Sequence, residues 1–79
     1  MKIEYLNYIL EVWRCGSINA AAKVLYLSQS GLSSIIKSVE GELGYPIFER
    51  EQNGIVASPQ GARFFRYAER MVSDYEAML

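Results

Sequence analysis

Apolar positions recur with helical spacing along most of this chain, and capping residues cut the pattern into segments. Between Ile3 and Cys15 the polar positions Glu4, Asn7, Glu11 and Arg14 are spaced 3, 4 and 3, one narrow stripe in an otherwise apolar run. That pattern predicts a first helix over 3–15, covered on more than one side, with Gly16 suited to the position past its C-terminus. Ser17 is a suitable N-cap for a second helix over 18–25, whose inner stripe is Ile18, Ala21, Ala22 and Leu25. The paired alanines imply a close crossing with another helix. Tyr26-Leu27 then leads to Ser28, the next N-cap candidate.

The third predicted helix, 29–43, has two faces. Leu32, Ile36, Val39 and Leu43 form an inner stripe; Gln29, Ser30, Ser33, Ser34 and Lys37 form a face of short polar side chains with one cation. Gly44 and Pro46 end it. Two β-capable runs then flank Asn53-Gly54, the dipeptide of a type I′ hairpin with positive φ at both central residues, which predicts a two-stranded wing. Ser58-Pro59 opens a last helix that runs to the end of the chain. Phe64, Ala68, Met71, Tyr75 and Met78 follow one another at 4-3-4-3 spacing, a heptad-like seam expected to pair with a second copy. Arg63, Arg66, Arg70 and Asp74 lie on the other side of that helix. The seam carries no stop signal at Leu79, so the chain is expected to be a piece of a longer protein.

Composition narrows the chemistry. The 79 residues suffice for one small domain, 51% of them hydrophobic, with no apolar run long enough to span a membrane and no signal peptide, so a cytoplasmic location is expected. Cys15 stands alone and histidine is absent, which excludes an internal disulfide and a conventional zinc site and removes the usual general base. Cys15 is read as a small semi-buried hydrophobe. An enzyme is not expected, nor a cofactor or bound metal. The net charge of −1 argues against nucleic acid when taken alone. Its distribution argues the other way: from Val12 to Val39 there is no acidic residue, while Arg14, Lys23 and Lys37 give that stretch +3.

Two short helices joined by a tight turn, the second with a polar outer face, describe a helix-turn-helix, and the hairpin makes it a winged one. Such a second helix enters the major groove and presents side chains able to hydrogen-bond to base edges. Gln29, Ser30, Ser33 and Ser34 meet that requirement, Gly31 permits a close approach of the backbone, and the helix starts at Ile18 and Gln29 offer N–H groups to phosphates.

Gly16-Ser17-Ile18-Asn19-Ala20-Ala21-Ala22, Leu25, Ser28-Gln29-Ser30-Gly31-Leu32-Ser33, Ile36, Glu40, Leu43-Gly44, Ile47-Phe48-Glu49-Arg50 and Ser58-Pro59-Gln60-Gly61 together resemble the LysR-type bacterial transcriptional regulators. The match runs over essentially the whole chain without a gap. It implies a mainly α fold: a winged helix-turn-helix DNA-binding domain over 1–58, with a three-helix core and two-stranded wing, and a linker and dimerisation helix over 59–79. It also implies a homodimer on double-stranded DNA, and a small-molecule effector acting only through a C-terminal domain missing from this chain. Gln29, Ser30, Ser33 and Ser34 are carried over as base contacts, and Arg50 and Asn53 as backbone or minor-groove contacts; Lys37, the cation on the same helix face, is itself read as a phosphate contact. Ser34 and Asn53 stand where the family often has a cation, and Ser58 where it has Thr. A different class of reading is an acidic winged helix that docks a partner protein.

Overall fold

Three serines start three of the helices in the same way. In the computed structural model, which describes residues 1–79, Ser17, Ser28 and Ser58 each hold an extended backbone and accept a hydrogen bond from the N–H three residues on: Ala20 (3.2 Å), Gly31 (3.0 Å) and Gly61 (2.8 Å). Each such cap stabilises its helix by about 1 kcal/mol. The order is α1 (Ile3–Cys15), α2 (Ile18–Leu25), α3 (Gln29–Leu43), β1 (Phe48–Glu51), β2 (Gly54–Ala57) and α4 (Pro59–Met78). Every predicted element is present. Gly16 ends α1 at φ 69°, and Tyr26, a non-glycine residue, ends α2 in the same left-handed region at φ 57°.

The core lies between α1 and everything else. Leu6, Ile9, Leu10 and Val12 of α1 are buried among Ala21 and Ala22 of α2, Leu32, Ile36 and Val39 of α3, and Phe64, Phe65, Ala68 and Val72 of α4. The wide apolar face of α1 is thus covered from several sides. Trp13, at the rim, stacks on Phe65 with centroids 4.4 Å apart and planes 8° from parallel.

The strands pair antiparallel with Phe48 opposite Ala57, Arg50 opposite Ile55 and Glu51 opposite Gly54. This register corrects the predicted turn. The two-residue loop is Gln52-Asn53, not Asn53-Gly54, and neither loop residue has a positive φ. Gly54 is the first residue of β2, at φ 142°, and a β-carbon there would overlap the Gly16 carbonyl oxygen. The glycine therefore answers a tertiary contact and not the needs of a type I′ turn.

The root of the wing is fastened at Ile47, which is buried. Its N–H donates to Glu40 Oε2 of α3 (2.7 Å), and its carbonyl accepts from the Ser58 N–H (2.8 Å). The Ser58 hydroxyl donates to the Pro46 carbonyl (2.6 Å) while accepting from Gly61. Gly61 packs so tightly on the Ile47 carbonyl that no β-carbon fits there. One residue thus joins α3, the wing and α4.

Candidate nucleic-acid interface

Helical geometry gathers the polar positions of α3. At about 100° per residue, Gln29, Ser30, Ser33, Ser34 and Lys37 fall within an arc of about 140°, opposite the buried Leu32, Ile36 and Val39. Ser33 is half-buried and the other four are exposed. Of the five, only Ser30 has a side-chain partner, a 3.5 Å contact with Ser28. Gly31 lies in the same exposed turn, and a β-carbon there would come within 2.8 Å of the Ser28 hydroxyl. The glycine thus makes room for the helix's own cap, a local reason beside the expected approach to DNA.

The wing stands next to this face. Opposed residues of a strand pair share a face of the sheet, and neighbours along a strand alternate. Phe48, Arg50, Ile55 and Ala57 therefore share the inner face, and Glu49, Glu51 and Val56 the outer one. Phe48, Ile55 and Ala57 are half-buried against the core, whereas Arg50 continues the same face outward and stays exposed. Arg50 forms no ion pair with either flanking glutamate, although Glu49 and Glu51 each border one of the clefts that Arg50 lines.

Two open clefts lie between the wing and the helices, and Arg50 and Ile55 line both. One, of about 260 Å³, is bordered by Ser33 and Lys37; the other, of about 340 Å³, by Gln29, Asn19, Ser17 and Gln52. Gln29, Ser33 and Lys37 accordingly form the wing-facing edge of α3, with Ser30 and Ser34 beyond it. Asn53 is exposed at the wing tip with Gln52. Sequence reasoning did not single out Asn19 or Gln52. Their only sequence signal is position, at the start of α2 and at the turn.

Charge around the site is sparser than the sequence suggests. Arg14 is engaged by Glu11 at 3.6 Å, which removes it from the positive stretch. Lys23, Lys37 and Arg50 are without ion pairs, as are Arg63, Arg66 and Arg70 on α4. The N–H groups of Ile18, Asn19, Gln29 and Ser30 head their helices beyond the reach of the serine caps and have no acceptor. Cys15 plays no part. Its thiol donates to Glu11 Oε1 at 3.7 Å, and burial, with the charge and hydrogen bond of Glu11 added, pushes its pKa up.

The expected seam of α4 divides. Phe64 (6% exposed) and Ala68 (1%) are absorbed into the chain's own core. Met71 (52%), Tyr75 (40%) and Met78 (74%) face outward, joined by Tyr67 (49%). Beside them runs a wholly apolar groove of about 260 Å³ whose lining includes Met1, Leu43, Tyr45, Tyr67 and Met71. Beyond Val72 every residue of α4 is exposed.

The sequence model of bacterial regulatory helix-turn-helix proteins of the lysR family matches residues 3–62. The chain belongs to the lysR family. It is 40% identical over 76 residues to the HTH-type transcriptional regulator HdfR of Yersinia enterocolitica, covering 96% of this chain and 26% of that protein. It is 34% identical over 79 residues to the HTH-type transcriptional regulator YcgK of Bacillus subtilis, covering all of this chain and 24% of that protein. The chain thus spans about a quarter of the length of the relatives it matches. Among solved structures it is similar to the BenM DNA-binding domain in complex with catB site 1 DNA, with a TM-score of 0.92 at 32% identity over 99% of this chain and 84% of that one. It is also similar to the CbnR DNA-binding domain in its DNA complex, with a TM-score of 0.92 at 29% identity over 99% of this chain and 90% of that one. The fold is the winged helix-turn-helix of that family. No helix is long and apolar enough to cross a membrane.

Proposed function

We propose that this domain binds double-stranded DNA sequence-specifically as a homodimer, in the cytoplasm, as the DNA-binding part of a LysR-type transcriptional regulator. Gln29, Ser30, Ser33 and Ser34 read base edges in the major groove, Lys37 holds a phosphate, and Arg50 and Asn53 touch the backbone or minor groove beside it. The observation that carries the reading is the polar face of α3, exposed and almost without internal partners, set beside an unpaired Arg50. The likeness to two DNA-binding domains in complex with DNA supports it. That its relatives are regulators supports a binding role without catalysis. In this reading a small-molecule effector acts through a further domain of a longer protein.

The test is a fluorescence-anisotropy titration against a duplex that the chain has selected from a random pool, repeated across salt concentrations. A dimer with Lys37 and Arg50 on each subunit, and at most Lys23 in addition, neutralises about four to six phosphates, a log–log salt slope of about 4–5. Equal affinity for selected and random duplexes would reject the reading of bases. A slope near 10 would put Arg63, Arg66 and Arg70 against the duplex instead.

The dimer forms through the outward part of the α4 seam, Met71, Tyr75 and Met78, with Tyr67 and the adjoining groove. Charge supports an antiparallel arrangement. Apart from Glu69, the cations Arg63, Arg66 and Arg70 come before the acids Asp74 and Glu76 along α4, against the preference of the helix dipole. A second copy running the other way, seam against seam, sets Arg70 near Asp74 of its mate. Sedimentation at high micromolar concentration should show a dimer, and Met71→Glu should abolish it.

A further inference from the structure

The wing meets the helix-turn-helix through backbone alone at one point. The Ile55 N–H donates to the Gly16 carbonyl at 3.1 Å, the one backbone hydrogen bond between a strand residue and the helices before it. Two glycines make the approach possible. Gly16 is left-handed at φ 69°, and Gly54 at φ 142° lies so close to the Gly16 carbonyl that a β-carbon would collide with it. Hairpin closure does not require this, because the loop itself is Gln52-Asn53.

The location of the contact gives it a functional meaning. Ile55 stands directly opposite Arg50 in the strand register, so the Gly16 carbonyl fixes the residue across from Arg50. Gly54 and Ile55 also line the cleft of about 340 Å³ whose far wall carries Gln29 and Asn19. The distance from Arg50 to the first residue of the recognition helix is thus set by how closely Gly54 sits on Gly16.

We propose that Gly16 and Gly54 form a backbone latch that holds the wing at the separation from α3 at which Arg50 and Gln29 engage one duplex together. Gly54 is then a positioning residue for DNA binding: it touches no DNA and acts through Arg50. The latch rests on the DNA-binding reading above. Loss of the latch leaves the hairpin and α3 formed but lets the wing swing away from the cleft.

The test is a double-mutant cycle of Gly54→Ala and Arg50→Ala, with affinity for the selected duplex and its salt slope as readouts and circular dichroism as the control for folding. Gly54→Ala should weaken binding about tenfold and lower the slope by about 0.9 for each Arg50 withdrawn. Arg50→Ala should do the same, and the double variant should bind no worse than the weaker single one, because both remove one contact. Additive losses, or wild-type affinity in Gly54→Ala, would overturn the latch while leaving the DNA reading intact. Failure of the unsubstituted chain to bind any duplex at low salt would overturn both. Should Gly54→Ala unfold, a chemically ligated chain with an ester in place of the Ile55 amide removes the hydrogen bond without adding an atom. It should weaken binding at least threefold, again only when Arg50 is present, and unchanged binding in that chain would overturn the latch.

Discussion

At the root of the wing Ile47, Ser58 and the Pro46 carbonyl find their partners inside the molecule; along the outer face of α3 almost no side chain does. Glu40, Ile47 and Ser58 close a ring of hydrogen bonds of 2.6–2.8 Å around a buried backbone. Gln29, Ser33, Ser34 and Lys37 have no internal partner at all. Gln29 and Ser33 belong to the same family pattern as Glu40, Ile47 and Ser58, so the pattern mixes two kinds of residue. Groups satisfied internally hold the fold, and groups left open are free to engage something outside it. Substitutions in the two regions should therefore separate stability from binding.

The largest effect is expected at Gly61. Gly61→Ala forces a β-carbon into the Ile47 carbonyl and should cost about 3 kcal/mol or more, read as a fall in Tm of at least about 12 °C. Ser58→Ala removes the cap of α4 and strands the Pro46 carbonyl, a loss of about 2–3 kcal/mol by chemical denaturation. Either substitution leaving stability unchanged would break the contrast from its structural side. On the other side, Gln29→Ala and Ser33→Ala should change stability by less than about 0.5 kcal/mol. Each should weaken operator binding by about 1–3 kcal/mol in titrations against selected and random duplexes. An equal loss on both duplexes would assign these residues to the backbone. The smallest effect sharpens the meaning of an open residue. Tyr26 is 95% exposed at φ 57°, a conformation asparagine tolerates better, so Tyr26→Asn should raise stability by about 0.5–1 kcal/mol in the same denaturation assay.

The elements were legible because each begins or ends on a residue with a local reason. Ser17, Ser28 and Ser58 cap through their own side chains, and Gly16 and Gly44 end helices in the left-handed region. Where a residue serves a distant partner, local rules misplace it. Asn53-Gly54 located the hairpin correctly but put the turn one residue late, because Gly54 is there for Gly16. The 4-3-4-3 seam of α4 located an apolar face, yet periodicity does not say whose surface covers it. Phe64 and Ala68 are buried in their own domain while Met71 and Met78 are not. The polar arc of α3 could be read directly, since alternation of faces is a matter of spacing alone. The internal bond of Glu40 could not, because it joins positions seven apart through a loop. That Arg50 shares a sheet face with Ile55 follows from strand alternation, and needed only the register to be drawn.

The stack of Trp13 on Phe65 gives the molecule an optical property. Trp13 is the one tryptophan, it is 38% exposed, and its indole lies flat against a ring of α4. Its emission therefore registers whether α4 is seated on α1. Release of that helix would move the indole into water and shift the spectrum to the red while the far-ultraviolet signal of the other helices stayed constant. The chain thus carries an unlabelled indicator of the docking of the very helix proposed to join two copies.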